Sequence, residues 1–341
     1  MNFKTVFSGL FLLLFYINVV TAQNDTVHIK REYVAYTFFY NVVPNQCNYP
    51  LIGFLNVARG NHKSVQLGFV NTTLKNFTGL KAGFINTTLG NVSGVALGFI
   101  NTTLQDFKGC KMGFVNTTIG NSLGVHMGFV NTVVGNNVGV QLGFVNTAIQ
   151  YIQGFQLGFV NTAAKGIKGS QLGFINIADS VSNGIPIGFL SIVKKGGYRA
   201  VEISVNELYS TNIAFKIGVP QLYSFFQGSY HYNYSKPLAV GFGFGSLIPI
   251  GTKLYVNPEI GSISSIINNN INTTTVTSFI RYAIHSKLQI AAGPSVVWQQ
   301  YPQGENMYDS PFFSLFHKEL DAKNTLLVGA RVALSFTFTD L

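Results

Sequence analysis

"LGFVNT" occupies Leu67–Thr72, and the same six letters return at Leu142–Thr147 and Leu157–Thr162. The Gly-Phe pair inside it recurs at Gly53, Gly68, Gly83, Gly98, Gly113, Gly128, Gly143, Gly158, Gly173 and Gly188, a period of 15 residues with no insertion. A second glycine keeps the same step from Gly79 to Gly184. Asn stands three residues after the first glycine from Asn56 to Asn176, and Ser191 breaks the series. A short fixed period specifies a stack of like units, each burying its faces on its neighbours.

Alternation identifies the unit. In Val95–Asn101, Val95, Leu97, Phe99 and Asn101 fall on one side, and Ala96, Gly98 and Ile100 on the other. That is strand periodicity. A second short strand follows, as at Leu89 and Val92, and the second glycine is expected to turn the chain. Such a unit suits one coil of a parallel β-solenoid, with like residues in ladders about 4.8 Å apart. This reading puts a Phe ladder and a Leu/Met ladder in the core, with an Asn ladder satisfying the turn backbone. The "NTT" sequons at Asn71, Asn86, Asn101 and Asn116 are then structural, because glycans on adjacent rungs would collide.

The same reading sends the alternate residues outward. They are Gln66, Lys81, Lys111, His126, Gln141, Gln156 and Gln171 in one polar stripe, Val70, Ile85, Ile100 and Val115 in an aliphatic stripe, and Thr72, Thr87 and Thr102 beyond them. A face with an exposed aliphatic stripe of this length is expected to bind a partner, a protein or a glycan.

The remaining chain bounds the problem. Hydrophobic residues make up 47% of the 341 and charged residues only 10%, well under the roughly 25% of an ordinary soluble domain. Net charge is +10, but no run of five basic residues occurs, so nucleic acid is not an expected partner. Lys4, the apolar run Phe7–Val20 and "VTA" before Gln23 read as a signal peptide cut after Ala22. The apolar run is short of the ~20 residues of a spanning helix. Residues 23–52 read as a cap segment and 53–195 as the solenoid. Cys110 occupies a repeat position otherwise held by Val, Leu or Phe and reads as a small buried hydrophobe; a Cys47–Cys110 disulfide stays open.

"KKGG" at Lys194–Gly197 marks a boundary. From 198 to 341 the pattern changes to amphipathic strands of about ten residues. Eight are expected: Ala200–Leu208, Asn212–Val219, Leu222–Tyr232, Leu238–Ile248, Lys253–Ile266, Val276–Ser286, Leu288–Tyr301 and Thr325–Phe338. In the last, Leu326, Val328, Ala330, Val332, Leu334, Phe336 and Phe338 alternate with small or polar residues. One apolar face and one small or polar face, repeated with alternating short and long connections, is the pattern of an antiparallel transmembrane β-barrel. Eight strands leave an interior filled by side chains. The inward set includes Glu202, Lys216, His231, Glu259, Arg281 and Arg331. Buried charges must pair, so Glu202 and Glu259 are expected to join Lys216, Arg281 and Arg331 in an internal ion network.

The six His are scattered, and there is no HExxH, nucleophile elbow or phosphate-binding loop. No catalytic residue, metal or cofactor is expected. The G-F-[VI]-N repeat between a signal peptide and a barrel end resembles a family of bacterial outer-membrane surface-repeat proteins of Gram-negative lineages. That resemblance covers residues 53–193 and implies an envelope location. The second half is similar in plan to small OmpA/OmpX-like barrels. The repeat is also similar to the β-roll heads of trimeric autotransporter adhesins, from which it departs in having no coiled-coil stalk and eight barrel strands rather than four.

An all-β protein follows: a solenoid module for binding, adhesion or envelope scaffolding on a closed barrel in outer-membrane lipid, with a homo-oligomer open. The repeats are periplasmic if short turns are periplasmic, and surface-exposed if the family resemblance governs. The alternative is an outer-membrane channel in which repeats and C-terminal strands form one larger barrel. A lipid-modifying enzyme would need Glu259 or His231 as its working group.

Overall fold

A computed structural model describes residues 35–44, 48–231, 238–266, 272–300, 314–321 and 323–338. The expected signal peptide and Cys47 lie outside the described residues. The described chain is all-β: a parallel solenoid of about ten coils, then a closed barrel of eight antiparallel strands. The two form separate sheets, so the single larger barrel is not the arrangement this chain adopts.

Each coil contributes two strands, for example Val92–Leu97 and Ile100–Thr103. Every strand pairs in parallel with its equivalent one repeat away, as Asn101 with Asn86 and Asn116. The coils begin earlier than the Gly-Phe series. Tyr40–Val43 pairs with Leu55–Ala58, and Asn41 already belongs to the Asn ladder, so part of the expected cap segment is solenoid.

The inside and outside of the coil are largely the reverse of the sequence reading. Gln66, Lys81, Lys111, His126, Gln141, Gln156 and Gln171 are buried, not outward. The Phe ladder and the Leu/Met ladder are outward, not core. The cause is the corner at Gly-Phe. Strand alternation breaks there, and Phe99 and Ile100 both point out before Asn101 points in. A strict two-residue period carried across that bend assigns the wrong face on one side of it. Val70, Ile85, Ile100 and Val115 and Thr72, Thr87 and Thr102 do face outward, half-buried. Cys110 is also outward and half-buried, between Val95 and Val125, so it is not a core residue.

The glycines have tighter reasons than flatness. A Cβ on Gly68 would lie 2.0 Å from the Gly53 carbonyl oxygen. From Gly79 to Gly169 the second series does not turn the chain; it sits within strands, as Gly109 does in Phe107–Met112 at φ 135°. There a Cβ would meet the carbonyl oxygen of Gly94 at 1.9 Å. Both series let successive coils approach at strand spacing.

The barrel strands are β1 (Tyr198–Val205), β2 (Thr211–Val219), β3 (Leu222–Tyr230), β4 (Leu238–Gly245), β5 (Leu254–Ser265), β6 (Asn272–His285), β7 (Leu288–Gln300) and β8 (Asn324–Thr337). β8 pairs with β1 and closes the ring. Short strands at Ile248–Pro249 and Phe316–Asp321, absent from the sequence reading, pair with β5 and β8. Outward residues such as Ile203, Ile213, Val240, Ile260, Val276, Ile290 and Leu334 are exposed and apolar. Gly196, at φ 70°, turns the chain from the last coil into β1.

Candidate functional site

Two interiors and one outer face are the candidates. In the barrel, alternation places Glu202 on β1, Lys216 on β2, Glu259 on β5, Arg281 on β6 and Arg331 on β8, all pointing inward and all buried. The structure brings the five together. Lys216 Nζ lies 2.5 Å from Glu202 Oε2 and 2.5 Å from Glu259 Oε1. Arg281 Nη2 donates to Glu202 Oε2 at 2.6 Å, and its Nε donates to Asn257 Oδ1 at 2.9 Å. Arg331 sits 3.6 Å from Glu202 and 3.7 Å from Glu259. Its Nε donates to Ser204 Oγ at 3.0 Å. The Phe279 ring lies 5.5–5.8 Å from all three cations. Cations over a ring face gain from its quadrupole, most where water is excluded.

Sequence reasoning missed several members. Tyr223 donates its hydroxyl to Glu259, and Ser335 donates to Glu202 at 2.7 Å. Glu207 is buried in the connection after β1 and accepts a hydrogen bond from Ser295. Tyr223 and Ser335 stand at inward positions of their strands; Glu207 falls in the expected strand Ala200–Leu208 on the face opposite Glu202, but the strand ends at Val205 and the chain then folds inward.

The network is sealed above and below. Near the short turns, Tyr198, Ala200, Tyr223, Phe225 and Leu247 form one apolar cluster. Gly243, Gly245 and Gly261 leave room for those rings: a Cβ on Gly243 would sit 2.4 Å from Phe225. Toward the other end, Leu208 and Tyr209 pack with Ala239, Ile263, Val297 and Leu327. The charged cluster thus lies between two apolar clusters. Glu259 lies within it, its Oε1 accepting from both Lys216 and Tyr223. His231 is buried at the end of β3.

The solenoid interior is polar in another way. Asn side chains hydrogen-bond rung to rung: Asn71 Nδ2 donates to Asn86 Oδ1 at 2.8 Å, and Asn86 to Asn101 at 2.8 Å. Each also donates to a backbone carbonyl, as Asn101 does to Met112 at 3.0 Å. Asn71, Asn86, Asn101 and Asn116 are fully or almost fully buried, so these sequons present no side chain to a glycan-attaching enzyme. Gln171 donates to Gln156 and Gln156 to Gln141, each at 2.7 Å. Lys81 Nζ donates to the Thr87 carbonyl at 2.7 Å and Thr88 Oγ1 at 2.6 Å; Lys111 repeats this with Thr117 and Thr118. No carboxylate reaches either amine among the described residues. Burial pushes both lysines well below their ordinary range, and Lys111 lowers Lys81 further. Burial first, and Lys111 second, hold His126 down to about 3.

The outer surface is where a partner can reach. Phe54 to Phe189 stack along the Gly-Phe corner, flanked by Leu67, Met112 and Leu157 on one side and Val70, Ile85 and Ile100 on the other. At the opposite corner, Asn76, Asn91, Asp106 and Asn121 each accept the backbone N–H of the next coil. That row is therefore structural as well as exposed. Among the described residues no group of three His, Cys, Asp or Glu could hold a metal ion. No protein-family model matches the chain, and no curated protein matches it.

Proposed function

We propose that this is an exported, non-enzymatic protein of a Gram-negative outer membrane, in which the closed barrel is the anchor and the solenoid is the working module for binding, adhesion or envelope scaffolding. The observation that carries this reading is the barrel wall. Its outward side chains form an apolar belt around a polar, ion-paired interior, the inverse of a soluble protein and the pattern of a bilayer-spanning barrel. A barrel also bonds its whole strand backbone internally, as the hydrocarbon core demands. The surface-repeat resemblance of the G-F-[VI]-N motif agrees with this location.

Both barrel termini lie at the end with the two-residue connections Pro220-Gln221 and Ser286-Lys287. Short turns on the periplasmic side would put the solenoid there too. Cell fractionation tests the anchor: the full chain is expected in the outer-membrane fraction, and a purely soluble distribution sinks the reading. Protease treatment of intact cells tests the side. A periplasmic solenoid survives until the outer membrane is permeabilised.

A further inference from the structure

Ten phenylalanines, Phe54 to Phe189, stack face to face at 4.7–5.0 Å, each 38–52% exposed. An apolar ridge of this length is far larger than the patches a soluble surface carries without a partner. The ridge does not end in solvent. Its last ring, Phe189, lies 4.8 Å from Phe226 and 4.8 Å from Phe242 on the outer wall of the barrel. Those two are register partners near the middle of β3 and β4. Ser224 donates to the Gly188 carbonyl at 2.8 Å, so the contact is bonded as well as packed. The Phe ladder and the barrel's apolar belt are one continuous surface.

The same junction sets the roll of the coil. From Phe189 at mid-wall, Leu190–Lys195 runs beside β2, and Gly196-Gly197 deliver the chain to Tyr198. Tyr198 pairs with Gly218, at the short-turn end of the barrel. The Phe corner therefore points toward the middle of the barrel wall and the far corner toward its short-turn rim. Nine steps make a ladder of roughly 44 Å, longer than the ~30 Å hydrocarbon core, so a ridge apolar along its whole length lies in the plane of a bilayer and not across it. Depth agrees. Outward residues on one flank read Leu97, Val95, then Ser93, the level of a mainly polar row that holds Lys63, Lys108 and Lys168 alongside Leu123 and Val138. Four residues of strand measure roughly 13 Å, close to the ~15 Å of one leaflet's acyl chains, which leaves those lysines at headgroup depth.

Resting on the reading of the barrel as membrane-embedded, we propose that the solenoid is itself a membrane-lying element. Its Gly-Phe corner is immersed in the acyl chains of the leaflet on the short-turn side, and its Asn/Thr side faces water. The occupant of the ridge is lipid.

The test reconstitutes the full chain in phosphatidylcholine vesicles with brominated acyl chains, which quench nearby tryptophan. Trp298, the single tryptophan, is exposed on the barrel wall and reports the anchor. In a Trp298→Phe background, Phe144→Trp reports the ridge and Tyr151→Trp reports the far corner, where Tyr151 is 59% exposed. Phe114→Trp replaces Phe144→Trp if the latter loses the wild-type circular dichroism. Expected are loss of most emission from Trp298 and from the ridge tryptophan, and little loss from the Tyr151 variant. A bright ridge with a quenched Trp298 overturns the proposal and leaves the barrel reading standing; if that chain also sediments as a dimer, a second copy covers the ridge. A bright Trp298 overturns the barrel reading and the proposal with it.

Discussion

Lys81 in the solenoid and Lys216 in the barrel are both fully buried, and they are kept in opposite ways. Lys216 is held by two carboxylates at 2.5 Å and shares them with two arginines. Lys81 is held by a carbonyl and a hydroxyl, with no counter-ion in reach. Burying a lone ammonium costs so much that the group gives up its proton instead. One interior stabilises the ammonium by pairing; in the other, burial pushes the amine away from its charged form. The difference follows from topology. A barrel converges residues from distant strands on one centre, so acids on β1 and β5 meet bases on β2, β6 and β8. A solenoid presents each inward position only to its copies one rung away, and a row drawn from Gln, Lys, Ala and His offers no acid.

The sharpest way to break the comparison is at Glu202. Glu202→Gln leaves Lys216, Arg281 and Arg331 around Glu259 alone. Breaking a buried pair on one side costs about 3–5 kcal/mol. Urea unfolding of the full chain in detergent micelles, followed by Trp298 fluorescence, is expected to show that loss. A change under 1 kcal/mol would mean water reaches the network and the interior is not sealed.

Glycine gives a second contrast. Gly109→Ala must place a methyl 1.9 Å from the Gly94 carbonyl oxygen at φ 135°. Overpacking and left-handed strain each cost roughly 1–3 kcal/mol, so about 2–4 kcal/mol of coil stability is lost. Gly228→Ala on the barrel meets nothing within 4 Å and is expected to be near neutral. Hydrogen exchange of the full chain reads both: amides of the coils around residue 109 exchange at least tenfold faster in the first variant, and β3 is unchanged in the second.

The two halves also differ in how far their sequences could be read. All eight barrel strands stand within a few residues of their expected spans, because each keeps an unbroken two-residue alternation. For the same reason Glu202, Lys216, Glu259, Arg281 and Arg331 fall on the inward face and could be named together. The solenoid's period was legible, but its faces were not. Gly98-Phe99 is a corner, and the alternation slips there. Two facts favoured the wrong choice: phenylalanine usually marks a core, and lysine usually marks a surface. Lys81 and Lys111 on the inside and Phe84 and Phe114 on the outside reverse both. Glu207 was misplaced because the expected alternation runs to Leu208, whereas the strand ends at Val205 and the chain turns into the barrel.

Acid separates the interiors next. His126 holds its proton only below about pH 3 in the fold, against about 6.5 when unfolded. The unfolded chain therefore binds more protons between those values, and stability falls as pH drops through that window. At pH 5 the loss relative to neutral pH is about 2 kcal/mol. His126→Gln, which continues the row toward Gln141, is expected to abolish that loss in the coils around residue 126. Exchange rates compared at pH 7 and pH 5, corrected for intrinsic rate, decide it: an equal acid response in wild type and variant places the titration elsewhere.

Lys81→Gln is the most direct probe of how burial treats a lone amine. The sign is the reverse of a salt-bridged lysine. The folded group has its affinity for protons lowered by burial, so below its ordinary pKa the unfolded chain takes up a proton that the fold must shed. Stability of the wild-type coil therefore rises as pH climbs toward the ordinary lysine value. A glutamine at 81 has no such dependence. It inherits partners already used elsewhere in the row: its amide can donate to the Thr87 carbonyl as Gln141 does to Thr147, and to Gln66 as Gln156 does to Gln141. Below the ordinary lysine value the variant is expected to be the more stable, because it has no proton to shed on folding. The advantage should shrink steadily as pH approaches 10. A variant that is less stable at pH 7, with a gap that does not change with pH, would mean that Lys81 stays charged inside the coil, and that the solenoid tolerates an unpaired cation where the barrel does not.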